Sequence, residues 1–127
     1  ETELPAGPNA EFTILAFSLG TNDGPQNVDA LDLAVRESVA RLPSRGCAVW
    51  ATISRPPMAG VSYNALNRRL VALAQDPELY GRLIVVDWDR QYRRRKAWRR
   101  SDGVHATPEG YAGRAQLYAQ AAASCPA

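Results

Sequence analysis

Three short apolar runs, each closed by turn-forming residues and separated by segments of helical periodicity, constrain this chain more than any other feature. The first, residues 12–19 (FTILAFSL), ends at Gly20. The second, residues 47–54 (CAVWATIS), is stopped by Arg55, Pro56 and Pro57, and the third covers residues 83–88 (LIVVDW). Runs of this length, rich in β-branched and aromatic residues, read as buried strands. Between the first two, Val28, Leu31, Val35, Val39 and Leu42 recur every three or four positions, which predicts a helix. Asn27 is its expected N-cap, and Asp29 and Asp32 suit the positive end of its dipole. A second helix is predicted over residues 63–74, with Leu66, Leu70 and Leu73 as its apolar stripe and Ser62 as its cap. A last helix runs from the Thr107 cap, with Pro108 in its first turn, to about Ala123. Its Tyr111, Ala115, Tyr118 and Ala122 share one face. Residues 1–11 read as an extended lead-in, and the basic stretch after the third strand as irregular. The order strand, helix, strand, helix, strand, loop, helix predicts an α/β fold, with helices packed on a parallel sheet. Ligands of such sheets bind beyond the carboxyl ends of the strands.

With 127 residues the chain makes one domain with a hydrophobic core, and its composition (46% hydrophobic, 22% charged) is that of a globular protein. No apolar run approaches the roughly 18 residues of a membrane span. No signal peptide stands at the N-terminus, and Glu1 is not a start residue, so a mature or trimmed chain is expected. The net charge of +2 does not argue for nucleic acid, and none is expected as a partner. The cations are nevertheless clustered. Arg90, Arg93, Arg94, Arg95, Lys96, Arg99 and Arg100 fall within eleven positions, with Tyr92 and Trp98 among them. Such a run is either a solvated basic face or a surface for anionic polymers. One histidine and scattered carboxylates give no metal-ligand spacing, and no glycine-rich phosphate loop is present, so no metal or cofactor is expected.

The two cysteines, Cys47 and Cys125, would be free thiols in a cytosolic chain and a natural pair in an exported one. Cys47 begins a predicted strand and Cys125 follows a predicted helix. In a parallel α/β fold these positions share the edge opposite the active site, so a disulfide between them is geometrically reasonable. A secreted or extracytoplasmic location follows from that pairing.

His105 is the only histidine. A lone histidine is often a satisfied surface or core residue, but this one sits in a loop before a helix, three residues after Asp102 and with Gly103 between. A carboxylate at that spacing can accept a hydrogen bond from one ring nitrogen, fix the tautomer and leave the other nitrogen free as a base. The stretch DGVHATPEGY resembles the DxxH block of the SGNH (GDSL-type) hydrolases, and FSLGTND resembles their Gly-x-Asn-Asp block. Both occur in the family's order, and the resemblance covers the chain from Phe12 to the last helix.

The resemblance implies a three-layer sandwich with a parallel sheet, SGNH- or flavodoxin-like, of which this chain is the C-terminal two-thirds and lacks the first strands. It implies His105 as general base, Asp102 as its orienting carboxylate and Asn22 as a side-chain donor to the oxyanion, with Gly20 turning the backbone off the strand. Attack on an ester carbonyl makes an alkoxide, and fixed donors must await it. The family's Gly-Asp-Ser nucleophile block has no counterpart in the chain. Among the serines, Ser54, at the carboxyl end of the second strand, is the one substitute on the expected active edge. The expectation is therefore a serine esterase acting on small acyl esters or O-acetylated carbohydrate, inactive alone. A missing segment or a second polypeptide would supply the serine. The alternatives are an O-acyltransferase of the same family and a non-catalytic module that binds an anionic polymer.

Overall fold

Alternation along the strands decides which helix covers which face of the sheet. The computed structural model describes residues 14–17, 25–43 and 46–125. Strands β1 (Ile14–Phe17), β2 (Cys47–Ala51) and β3 (Leu83–Val86) form one parallel sheet in the order β1-β2-β3. Ile14 pairs with Cys47 and Phe17 with Trp50, while Ala48 pairs with Leu83 and Ala51 with Val86. All five residues of β2 are buried, as expected of a strand covered on both sides. Ala48 and Trp50 join Leu83 and Val85 in a core with helices α1 (Val28–Ala40) and α2 (Asn64–Leu73). Val49 and Ala51 join Ile84 and Val86 in a second core on the opposite face, closed by helix α4 (Pro108–Ala123). The protein is an α/β domain with helices on both faces of a parallel sheet.

The helical stripes lie where the periodicity put them. Leu31, Val35, Val39 and Leu42 are buried, as are Leu66, Leu70 and Leu73. Each such side chain contributes about 1.5–3 kcal/mol by leaving water. Ion pairs join the outer parts of the two helices. Arg36 bridges Asp32 and, beyond α2, Asp76 at 2.7 and 2.8 Å, and Arg69 reaches Asp32 at 2.9 Å. The caps differ from expectation. Asn27 stands at the N-cap of α1 without a side-chain capping bond. The N-cap of α2 is Tyr63, while Ser62 Oγ accepts from Asn64 N at 3.3 Å.

Two strand ends come earlier than the apolar runs suggest. Past Ala51 one ladder bond remains, from Thr52 N to Val86 O at 2.9 Å, and at Ile53 the backbone groups turn to side-chain partners. Asn67 Oδ1 accepts from Ile53 N at 2.8 Å, and Asn67 Nδ2 donates to Ile53 O at 2.9 Å. β3 stops at Val86 because Asp87 caps a helix within the stretch expected to be irregular, α3 (Trp88–Arg94), by accepting from Arg90 N. The hydroxyl of Thr52, buried at the end of β2, accepts from Asp89 N at 2.9 Å and donates to Asp87 at 3.1 Å. A 3-10 turn (Lys96–Trp98) follows. α4 begins as expected, with Thr107 Oγ1 accepting from Gly110 N at 3.1 Å and Pro108 in its first turn. Its buried face matches the expected one only at Tyr118 and Ala122. Tyr111 is exposed, as is Ala115, and the helix packs through Gly110, Gly113, Leu117, Tyr118, Ala121 and Ala122.

Cys47 and Cys125, 78 positions apart in sequence, are joined in a disulfide, with their Cα atoms 6.0 Å apart. The bond ties the end of α4 to the start of β2. Closing a loop of that length restricts the unfolded chain by about 4–5 kcal/mol. Reduction with dithiothreitol should therefore lower the unfolding free energy by about 3–5 kcal/mol in urea melts followed by circular dichroism. A change below 1 kcal/mol would show that the last helix holds its place without the bond.

Candidate active site

The loop between the 3-10 turn and α4 is fixed from three sides before any chemistry is considered. At its base, Arg99 and Ala106 form an isolated antiparallel bridge. Arg100 N donates to His105 O at 3.1 Å, and Arg100 Nε donates to Ala106 O at 3.0 Å. From below, the buried Tyr92 of α3 donates its hydroxyl to His105 O at 2.9 Å. From the side, the Trp98 indole seats on α4. A Cβ on Gly113 would stand 2.3 Å from Trp98 Cζ2, and one on Gly110 would stand 2.6 Å from Trp98 O. Trp98 also stacks on Trp88 at 5.8 Å, and Thr107 binds the carbonyls on either side of the indole's Cα, with Oγ1 on Ala97 O at 2.7 Å and N on Trp98 O at 3.0 Å.

On this base, Asp102 and His105 come together. His105 Nδ1 lies 2.6 Å from Asp102 Oδ2. The other carboxylate oxygen, Oδ1, accepts from Val104 N at 2.8 Å and His105 N at 2.9 Å. Gly103 makes the turn possible with a φ of 71°, a left-handed value that side-chain-bearing residues rarely adopt. The hydrogen bond from the His105 ring, followed by those from the two amides, holds the Asp102 carboxyl well below the usual carboxylate range. The pair is open to solvent, with side chains 64% and 46% exposed, and Nε2 of the ring has no hydrogen-bond partner among the described residues.

The loop lies against the segment that leaves the carboxyl end of β2. A Cβ on Gly103 would meet Pro56 Cγ at 3.2 Å. Ser54 is in that segment and half-buried, and it makes no hydrogen bond to Asp102 or His105. Gly20 and Asn22 lie outside the described residues. A cavity of about 520 Å³ opens at the carboxyl ends of β2 and β3, lined by Thr52, Asp87 and Asp89 and by Asn64, Asn67 and Arg68 of α2. A second, of about 590 Å³, runs along β3. Neither is lined by Asp102 or His105. No group of three or more metal-ligating side chains is found among the described residues.

Sequence reasoning did not find Tyr92 or the Trp98 seat. Trp88 and Tyr92, four apart behind an Asp cap, and Gly110 and Gly113, three apart in an alanine-rich helix, were the available signals. Comparison with protein-family models, curated proteins and solved structures finds no match.

Two outcomes test this geometry. The Asp102 carboxyl carbon should show no titration step between pH 5 and pH 3 by 13C NMR, a range in which an ordinary aspartate titrates near 3.9. Because its folded value is depressed, its contribution to loop stability is present above about pH 4 and is lost only as pH falls through that lower value. Tyr92→Phe should cost about 1 kcal/mol of stability, since a neutral hydrogen bond to the His105 carbonyl is removed, and should change the resonance of the Ala106 amide that shares that peptide group. An unmoved resonance would show that the hydroxyl does not hold the loop.

Proposed function

We propose that the chain is the base-and-carboxylate part of an SGNH-type serine ester hydrolase acting on small acyl esters or O-acetylated carbohydrate. The observation that carries the reading is the Asp102–His105 pair. One carboxylate oxygen is bound to Nδ1 at 2.6 Å, the other is anchored by two backbone amides, and Nε2 is free to face a reactant. The sheet order β1-β2-β3 with helices on both faces supports a three-layer sandwich of the flavodoxin-like kind, lacking its first strands here. The disulfide supports an oxidising, extracytoplasmic setting.

On this reading the nucleophilic serine comes from a Gly-Asp-Ser segment outside these 127 residues, in the same or a second polypeptide. The serine oxygen attacks the ester carbonyl while its proton passes to Nε2 of His105. The Asp102 carboxylate stabilises the imidazolium so formed. The carbonyl oxygen becomes an alkoxide, which the Asn22 amide is placed in sequence to meet. Collapse of the alkoxide expels the alcohol, which takes the proton back from Nε2, and water hydrolyses the acyl-serine by the same steps.

The test is reconstitution. The chain joined to a Gly-Asp-Ser segment from its own reading frame or operon should hydrolyse 4-nitrophenyl acetate. His105→Ala should lower kcat by about 10³–10⁴-fold, and Asp102→Asn by a similar order. Equal rates for the variants and the parent would overturn the reading.

A further inference from the structure

We infer that the basic segment running into the catalytic loop is a docking surface for an acidic polysaccharide, the polymer whose acyl esters the Asp102–His105 pair serves. The charge of this protein is polarised. Residues 90–100 hold seven cations and no acid, whereas the other 116 residues hold eight cations against 13 acids. A net charge of +2 thus hides a strongly positive strip on an otherwise acidic chain. Such an arrangement attracts anions to one place, where a uniformly basic protein would bind them everywhere.

Most of the strip's charge is unspent. Arg93 pairs with Asp89 at 2.9 Å, and Arg95 lies 4.6 Å over the Trp98 ring. The exposed side chains of Arg90, Arg94, Lys96 and Arg99 make no ion pair among the described residues. The strip is also held in shape, by α3, the 3-10 turn and the Trp98 seat on Gly110 and Gly113. Cations arrayed on a fixed backbone lose less freedom on binding than cations on a tail. Finally, the strip ends inside the candidate site. Arg100 binds His105 O through its backbone and Ala106 O through its side chain, so the basic segment is joined directly to the loop that carries the imidazole.

The disulfide supports an oxidising setting, and on the hydrolase reading the bound polymer carries esterifiable hydroxyls, which acidic polysaccharides combine with negative charge. Arginine suits their planar carboxylates through paired N–H donors. The identity of the polymer as substrate rests on the hydrolase reading, whereas its binding does not, and the experiment separates the two.

Binding of the intact chain to polygalacturonate should be measured by titration calorimetry, with neutral dextran and single-stranded RNA as comparisons. Polygalacturonate should bind, with an affinity that falls about tenfold or more between 50 and 200 mM NaCl. Dextran should not bind, and RNA should bind less tightly than polygalacturonate. The triple variant Arg90→Gln, Arg94→Gln, Arg99→Gln should keep its circular dichroism spectrum and thermal midpoint, because these side chains are exposed, and lose at least tenfold in affinity. Absence of binding, binding unmoved by the triple variant, or tighter binding of RNA would overturn the inference and leave the ester hydrolase reading intact. Failure of the reconstituted esterase with polymer binding preserved would have the opposite meaning.

Discussion

The carboxylate of Asp102 is the interaction on which the site depends, because its two oxygens do different work. One accepts from the His105 ring, and the other gathers the amides of Val104 and His105 into a tight turn. The same group therefore shapes the loop and orients the imidazole within it. The opposed demands of a tight backbone and a correctly aimed ring are met by spacing alone. An aspartate three residues before a histidine, with a glycine in the left-handed region between them, can reach both amides and the ring. An exposed pair gains little from Coulomb attraction in water, so the geometry must come from hydrogen bonds and from the scaffold beneath.

That scaffold is aromatic and small-residue packing. α4 presents Gly110 and Gly113 where any Cβ would collide with Trp98, and the indole fills the space. Trp98 stacks on Trp88, which begins α3, and Tyr92 of the same helix reaches up to the His105 carbonyl. Through these contacts the candidate site is tied to the end of β3 at one side and to α4 at the other. At the far end of α4, the disulfide with Cys47 returns the tie to the start of β2. The helix that carries the loop is thus held at both ends, by the Trp98 seat at one edge of the sheet and by the disulfide at the other.

How far the sequence revealed this depends on the physical signal at each element. The strands were legible because a doubly covered parallel strand is a short continuous apolar run, and α1 and α2 were legible because each has a single leucine- and valine-rich stripe. The pair Asp102 and His105 was legible because their contact is local. α3 was hidden, since seven cations in eleven positions obscure the fourfold spacing of Trp88 and Tyr92. The packing face of α4 was legible only at Tyr118 and Ala122, because hydrophobic periodicity counts tyrosine and alanine and is blind to Gly110 and Gly113, which pack by having no side chain. The contact of Tyr92 with His105 spans 13 residues and exists only because Arg99 and Ala106 pair, a register that no local pattern specifies.

His105 is the sole histidine, so its ring nitrogens can be followed without ambiguity. The central claim is that Nδ1–H donates a hydrogen bond to Asp102 and leaves Nε2 open as a base. The direct measurement is the 15N spectrum of the neutral imidazole. The account predicts the tautomer with hydrogen on Nδ1 and a bare Nε2. A ring carrying its hydrogen on Nε2 would contradict it, because that nitrogen could then accept no proton from a nucleophile.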